Sequence, residues 1–273
     1  MVAFFHTIWF GRSWRKAENI LARTSKFATL DIGLTGYVPV LELVQDYKPP
    51  KSCLVHLQEM PTAVTDAVPQ MTRVWSQAVR IAKDRLTRLP AGTVRLSGDQ
   101  ALALAAYTFE LGIDSESDGQ DNFYMVLNEL LRKRQPGVMR ELKPFLGYMM
   151  QALAALPDWR GMAYRGIPAS EKDVVMAKYK DGSTVHWSSF TSTSTKLATA
   201  QDFARVGGIV FVINVVQGRC VEAYSALQAE DEIILSPNSR FIVTEECHLC
   251  INGDLRGHHV VRMQQQRDDN ILF

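Results

Sequence analysis

Met162-Ala163-Tyr164-Arg165-Gly166-Ile167 is where this 273-residue chain changes character. Ahead of it, apolar residues recur at helical spacing. Behind it, they come in short runs broken by glycine and proline, the pattern of strands. The strand-type runs are 162–167, 184–191, 209–216, 233–235, 241–244 and 259–263, punctuated by Gly182, Gly207-Gly208, Gly218, Pro237, Gly253 and Gly257. One helical stretch, about 197–205, interrupts them. Helices first and strands after predict an α+β fold rather than an alternating α/β one. Neither a G-x-G-x-x-G nor a Walker sequence is present, which also argues against a Rossmann fold.

Toward the N-terminus, Val74, Trp75, Ala78, Val79, Ile81, Ala82 and Leu86 predict a helix over 72–89, ended by Pro90 and Gly92. Ser97 and Gln100 form a capping-box pattern ahead of an alanine- and leucine-rich helix. Residues 114–120 read as a polar loop. Asp121 is placed as the cap of a third helix running through Tyr124, Leu127 and Leu131 to Arg132-Lys133-Arg134, with Pro136-Gly137 as its stop. A fourth helical pattern reaches Leu156 and ends at Pro157, with Pro144 in a first turn or at a kink. Residues 1–60 carry short apolar stretches and no assignable pattern. Their aromatics Phe4, Phe5, Trp9 and Trp14 are read as packing onto the rest of the chain.

With 47% hydrophobic and 22% charged residues, the composition is that of a globular protein, not a disordered one. A net charge of +1 supplies no basic field, so nucleic acid is not an expected partner. Four cysteines (Cys53, Cys220, Cys247, Cys250) are too few for a disulfide scaffold, and no Asn-x-Ser/Thr sequon occurs. No apolar run approaches the ~18 residues of a membrane span; the best, 207–216, is broken by Asn214. Residues 1–10 are apolar, but Arg12, Arg15 and Lys16 follow them, the reverse of a secretory leader. A soluble, cytoplasmic protein is expected, with export as an effector or toxin the alternative. Cys247-His248-Leu249-Cys250 with His258 and His259 could offer four zinc ligands. Buried cysteines and ordinary strand histidines are the reading adopted, and no metal is expected.

Three pieces of the strand region carry chemistry together: Arg165-Gly166 at a strand end, the hydroxyl run Phe190-Thr191-Ser192-Thr193-Ser194, and Glu230-Asp231-Glu232 before Ile233-Ile234-Leu235. Singly, each reads as a surface arginine, an edge strand and a solvated loop. Jointly, an arginine can hold a diphosphate through paired charge-assisted hydrogen bonds. A carboxylate can stabilise a sugar cation as a glycosidic bond breaks. If 230–232 is extended, period-two geometry turns both glutamates toward one cleft.

In this order and spacing the pieces resemble the Arg-Ser-Glu branch of the mono-ADP-ribosyltransferases, which includes vertebrate arginine-specific ecto-enzymes and clostridial binary-toxin-like enzymes. Ala198-x-x-x-x-Phe203-Ala204, Ile233-Ile234-Leu235-x-Pro237 with Phe241, Ala106-Tyr107-Thr108 and Asn128-Glu129-Leu130-Leu131-Arg132 are similar to further stretches of that family, so the likeness covers roughly 95–248. It implies a helical lobe packed on a mostly antiparallel β-sandwich core, with NAD in the cleft between. Residues 91–273 would be the catalytic domain, with its helical lobe at 91–158 and β core at 159–273. Residues 1–90 would be a partly helical segment of unknown role.

The resemblance also implies roles. Arg165 would bind the NAD phosphates and the nicotinamide ribose, and the Gly166 backbone the carboxamide. Ser192 would orient Glu232, which contacts the ribose and stabilises its oxocarbenium-like transition state. Glu230 would engage the acceptor arginine of a protein substrate, whose guanidinium, with a pKa above ~12, is a poor nucleophile until a carboxylate engages it. Phe203 is assigned to the nicotinamide pocket or to the core, and Asn128 and Arg132 to the cleft wall on the helical side. The chain is read without the vertebrate members' secretory signal, lipid-anchor tail or disulfides, so extracellular residence is not carried over. NAD glycohydrolysis, with water as acceptor, and a non-catalytic NAD- or ADP-ribose-binding module are the alternatives.

Overall fold

The computed structural model describes Val44 and residues 47–111 and 122–267. The N-terminal aromatics, the 114–120 loop and Asp121 lie outside the described residues. A helical lobe comes first: α1 (Cys53–Gln58), α2 (Thr62–Thr65), α3 (Met71–Thr87), α4 (Gly98–Thr108), α5 (Phe123–Lys133) and α6 (Pro136–Ala155). The capping box forms as expected, Ser97 Oγ accepting the Gln100 amide and Gln100 Oε1 the Ser97 amide. Helix α4 is the centre of the lobe, with every residue from Ala101 to Thr108 buried. Around it α3 offers Val74, Ala78 and Ala82, one stripe at i, i+4, i+8. Phe123 of α5 meets Phe145 of α6 edge-on at 5.1 Å.

Two helix boundaries differ from expectation. Asn122 occupies the N-cap position of α5, and its Oδ1 accepts the Leu111 amide (2.7 Å) instead of capping. Pro136 does not stop α5. That helix ends at Lys133 with Arg134 in the left-handed region (φ 49°), and Pro136 is the first residue of α6, where its missing N–H costs nothing. Pro144 lies inside α6. Val44, Cys53, Leu57, Val64 and Val68 share one apolar core with α4–α6, so α1 and α2 belong to this lobe.

The second half is one hydrogen-bonded sheet of seven strands: β1 (Asp158–Ile167), β2 (Thr184–Trp187), β3 (Thr191–Ser194), β4 (Ile209–Cys220), β5 (Glu232–Leu235), β6 (Ser239–Leu249) and β7 (His259–Gln265). The order is β1-β3-β5-β4-β7-β6-β2, and β1 also pairs with β4 along most of its length. The strands β1, β3, β5 and β4 therefore close a ring, and the sheet wraps its own core, into which Phe211, Ile213, Ile233, Leu235, Phe241 and Val261 point. Only β4 and β7 run parallel among the described pairs.

The expected strand 184–191 is two strands. β2 pairs with β6 at one end of the order, and β3 joins β1 and β5 at the other. The chain leaves the ladder at Ser188, whose carbonyl accepts from the Arg134 guanidinium, and Phe190 turns into the helical core.

Two helices attach to the sheet: α7 (Lys172–Lys178) and α8 (Leu197–Ala204). Helix α8 lies directly on the ends of β1 and β4, because a Cβ at Gly166 or Gly208 would sit 1.8 Å from the Ala200 or Ala204 carbonyl oxygen. The lobes are tied by Arg219 of β4, whose Nε donates to the Leu153 carbonyl of α6 (2.7 Å) and whose Nη1 pairs with Asp158. That hydrogen bond holds the Asp158 carboxyl below its ordinary value. Gly208→Ala must push α8 off the sheet, and a loss of roughly 2 kcal/mol or more is expected in chemical denaturation. An unchanged denaturation midpoint would mean that the helix–strand contact is looser than this geometry.

Candidate active site

A small cleft separates α4 and α5 from β1 and β3. Its sheet side carries Arg165 and Ser192, and its helical side Tyr107, Tyr124, Asn128 and Arg132. Arg165 Nη1 donates to the Ser192 carbonyl (2.7 Å), and the guanidinium lies 6.0 Å from the Trp187 ring centre. Burial presses the Arg165 pKa down, against the pull of the Tyr107, Tyr179 and Tyr124 hydroxyls. On the opposite wall the Tyr107 ring meets Phe190 edge-on at 5.4 Å, and its hydroxyl accepts from Asn128 Nδ2 (3.0 Å). Asn128 Oδ1 is buried without a partner. Arg132 reaches across to Ser189 Oγ (3.4 Å), so the walls touch through side chains that can also serve a ligand.

The pairing of β3 with β5 places the acidic residues. Ser192 lies opposite Ile234 and Ser194 opposite Glu232, so all four side chains share one sheet face. Glu232 is 2% exposed. Its Oε2 accepts from Ser225 Oγ (3.3 Å), and its Oε1 is buried without a partner. Glu230 is not on the strand, contrary to the extended geometry expected. It ends a single 3₁₀ turn (Gln228–Glu230), and Asp231 reverses the chain in the left-handed region (φ 46°). The turn closes on itself because Ser194 Oγ donates to the Glu230 carbonyl (2.8 Å), and Lys196 pairs with Asp231 (3.0 Å). Glu230 is therefore half-buried on a turn while Glu232 is buried on the strand, and neither is among the residues lining the cleft.

The remaining candidates fall in different places. Gly166 is buried where α8 presses on β1. Phe203 is half-buried on α8, outside the three apolar cores and not among the residues lining the cleft. Cys247 is buried in the sheet core, where desolvation pushes its thiol up, and His248 is exposed on the same strand. Among the described residues no three His, Cys, Asp or Glu side chains gather as a metal would need. Sequence reasoning missed Tyr124 as a cleft residue and missed Ser225 altogether. Ser225 stands seven residues before Glu232 with no local pattern to announce it.

A helical lobe over a sheet closed on itself, with an arginine, a hydroxyl strand and a glutamate on neighbouring strands, is the fold of the ADP-ribosyltransferases. The structure aligns with the crystal structure of the ADP-ribosyltransferase HopU1 of Pseudomonas syringae pv. Tomato DC3000 over 90% of this chain and 97% of that one, at TM-score 0.51 and 18% identity. More particularly, the chain belongs to the NAD:arginine ADP-ribosyltransferase family, whose family model matches residues 55–250. It is similar to Mav of Mycobacterium avium (strain 104), 32% identical over 125 residues, 45% of this chain and 14% of that protein. It is also similar to the NAD(+)--protein-arginine ADP-ribosyltransferase Tre1 of Serratia proteamaculans (strain 568), 32% identical over 122 residues, 44% of this chain and 25% of that protein. The chain thus spans a quarter or less of the length of these two relatives.

Because a lysine cannot reproduce a planar fork, Arg165→Lys is expected to weaken NAD binding by about ten-fold in calorimetry. Unchanged affinity would reassign Arg165 to a purely structural tie between β1 and β3.

Proposed function

We propose that this protein transfers ADP-ribose from NAD to arginine side chains of a protein substrate, releasing nicotinamide. The observation that carries the reading is Glu232: a deeply buried carboxyl group with one oxygen held by Ser225 and the other left without a hydrogen bond. A buried polar atom without a partner is costly and rare, and a ribose hydroxyl is a donor that would satisfy it. The same holds for Asn128 Oδ1, which lines the cleft. The residues present therefore fit NAD as a bound substrate.

In this reading Arg165 and the polar groups of α5 hold the dinucleotide. Glu232 stabilises the positive charge that develops on the ribose as nicotinamide leaves. Glu230, half-exposed on its turn, meets the incoming guanidinium and orients it. Family membership supports the same assignment of substrate and acceptor. In this reading the catalytic unit includes α1 and α3, a view supported by the core they share with α4 and by a family model that starts at residue 55. No described helix is long and apolar enough to cross a membrane.

Two substitutions separate the acids. Glu232→Gln should lower nicotinamide release and transfer together by roughly 100- to 1,000-fold, the cost of one transition-state electrostatic contact. If most of the release survives, Glu232 is not at the glycosidic bond. Glu230→Gln should abolish labelling of agmatine while sparing much of the NAD hydrolysis, since water needs less positioning than a guanidinium. Parallel loss of both activities would instead put Glu230 in NAD binding or in the fold.

A further inference from the structure

The loop between β4 and β5 is fastened to the helical lobe at three points. Tyr224, fully buried, donates its hydroxyl to the Val94 carbonyl (2.5 Å) and accepts the Leu96 amide (3.0 Å). Arg85 Nε of α3 donates to the Ser225 carbonyl (3.0 Å). The Ala226 amide donates to Thr108 Oγ1 at the end of α4 (2.9 Å), while that hydroxyl donates its own proton to the Leu104 carbonyl (2.8 Å). Consecutive residues 224, 225 and 226 are thereby fixed from α3, from α4 and from the segment joining them.

Between these anchors Ser225 is 0% exposed. Its Oγ accepts the Leu227 amide (3.0 Å), which uses a lone pair and leaves its one proton to point at Glu232 Oε2 (3.3 Å). Ser192, the residue expected to orient Glu232, lies diagonally across the sheet. Among the described residues no hydrogen bond joins the two; the Ser192 carbonyl serves Arg165.

We propose that Ser225 is the positioning residue for Glu232: its hydroxyl pins one carboxyl oxygen so that the other faces the ribose, and the helical lobe fixes Ser225 through Arg85 and Thr108. The inference rests on the catalytic reading of Glu232. It adds a hold on the acid from the helical side of the cleft. A hydrogen bond to a charged group is a strong one, so its loss should appear in the chemical step.

The experiment measures kcat and the NAD KM for nicotinamide release, with thermal midpoints, for Ser225→Ala, Glu232→Gln and the double variant. Ser225→Cys, which keeps the volume with a weak donor, stands in should the alanine variant fail to fold. Ser225→Ala, or Ser225→Cys in its place, is expected to lower kcat about ten-fold with KM changed by less than about two-fold. The same change should cost nothing further in the Glu232→Gln background. A raised KM at constant kcat, or a loss that multiplies with that of Glu232→Gln, would overturn the proposal and leave Ser225 as a loop anchor. If Glu232→Gln alone keeps its activity, the failure belongs to the catalytic reading of Glu232, whatever Ser225 does.

Discussion

Strand β5 is four residues long and buried on both faces: Ile233 and Leu235 enter the core wrapped by the sheet, and Ile234 enters the core of the helical lobe. Its first residue is Glu232, so the packing that makes β5 the seam between two cores also takes a carboxyl group out of water. Removing an ionisable group from solvent costs several kcal/mol unless partners replace the water. Here one oxygen has a serine hydroxyl and the other has none. The rest of the molecule over-determines that seam, with Phe190, Val221 and Tyr224 carrying the helical core across to the sheet. Arg219 clips the end of α6 to β4 beside it. A site with an unsatisfied group persists only in a scaffold this heavily cross-connected.

The cleft follows from the same seam. Where Phe190 leaves the sheet to pack on Tyr107, the hydroxyl strand is pulled against α4 and α5, and Asn128 and Arg132 come to face Arg165. The aromatic contact acts as a spacer between the lobes, and the polar groups line what it holds open. Helix α8 takes the opposite route to rigidity: its backbone rests on two glycines with no side-chain layer between.

What the sequence makes legible here is local or ordered along the chain. The capping box at Ser97 and Gln100 is a signal four residues long, and it forms. The switch from helix to strand spacing near residue 160 marks the lobe boundary, because each period reports one kind of buried face. Contacts made across the fold are not legible. Pro136 reads equally as a stop or a start until Arg134 is seen in the left-handed region. The run 184–191 looks continuous because nothing nearby reveals that Arg134 takes the Ser188 carbonyl. Glu230-Asp231-Glu232 suggests alternation, but Lys196 and Ser194 fold the first two residues into a turn. Ser225 is silent because its meaning depends on α3 and α4, more than a hundred residues away.

The left-handed Asp231 places its two neighbouring acids at different depths, one half-exposed on a turn and one buried in the seam. Mobile ions screen charges facing solvent over about 8–10 Å at ordinary ionic strength and act far less on charges enclosed by protein. A cation approaching Glu230 therefore feels a field that weakens as salt is added, while the field around Glu232 is set by the protein alone. On the proposed roles, one reversed residue lets ionic strength address the acceptor's side of the site and leave the donor's side almost untouched.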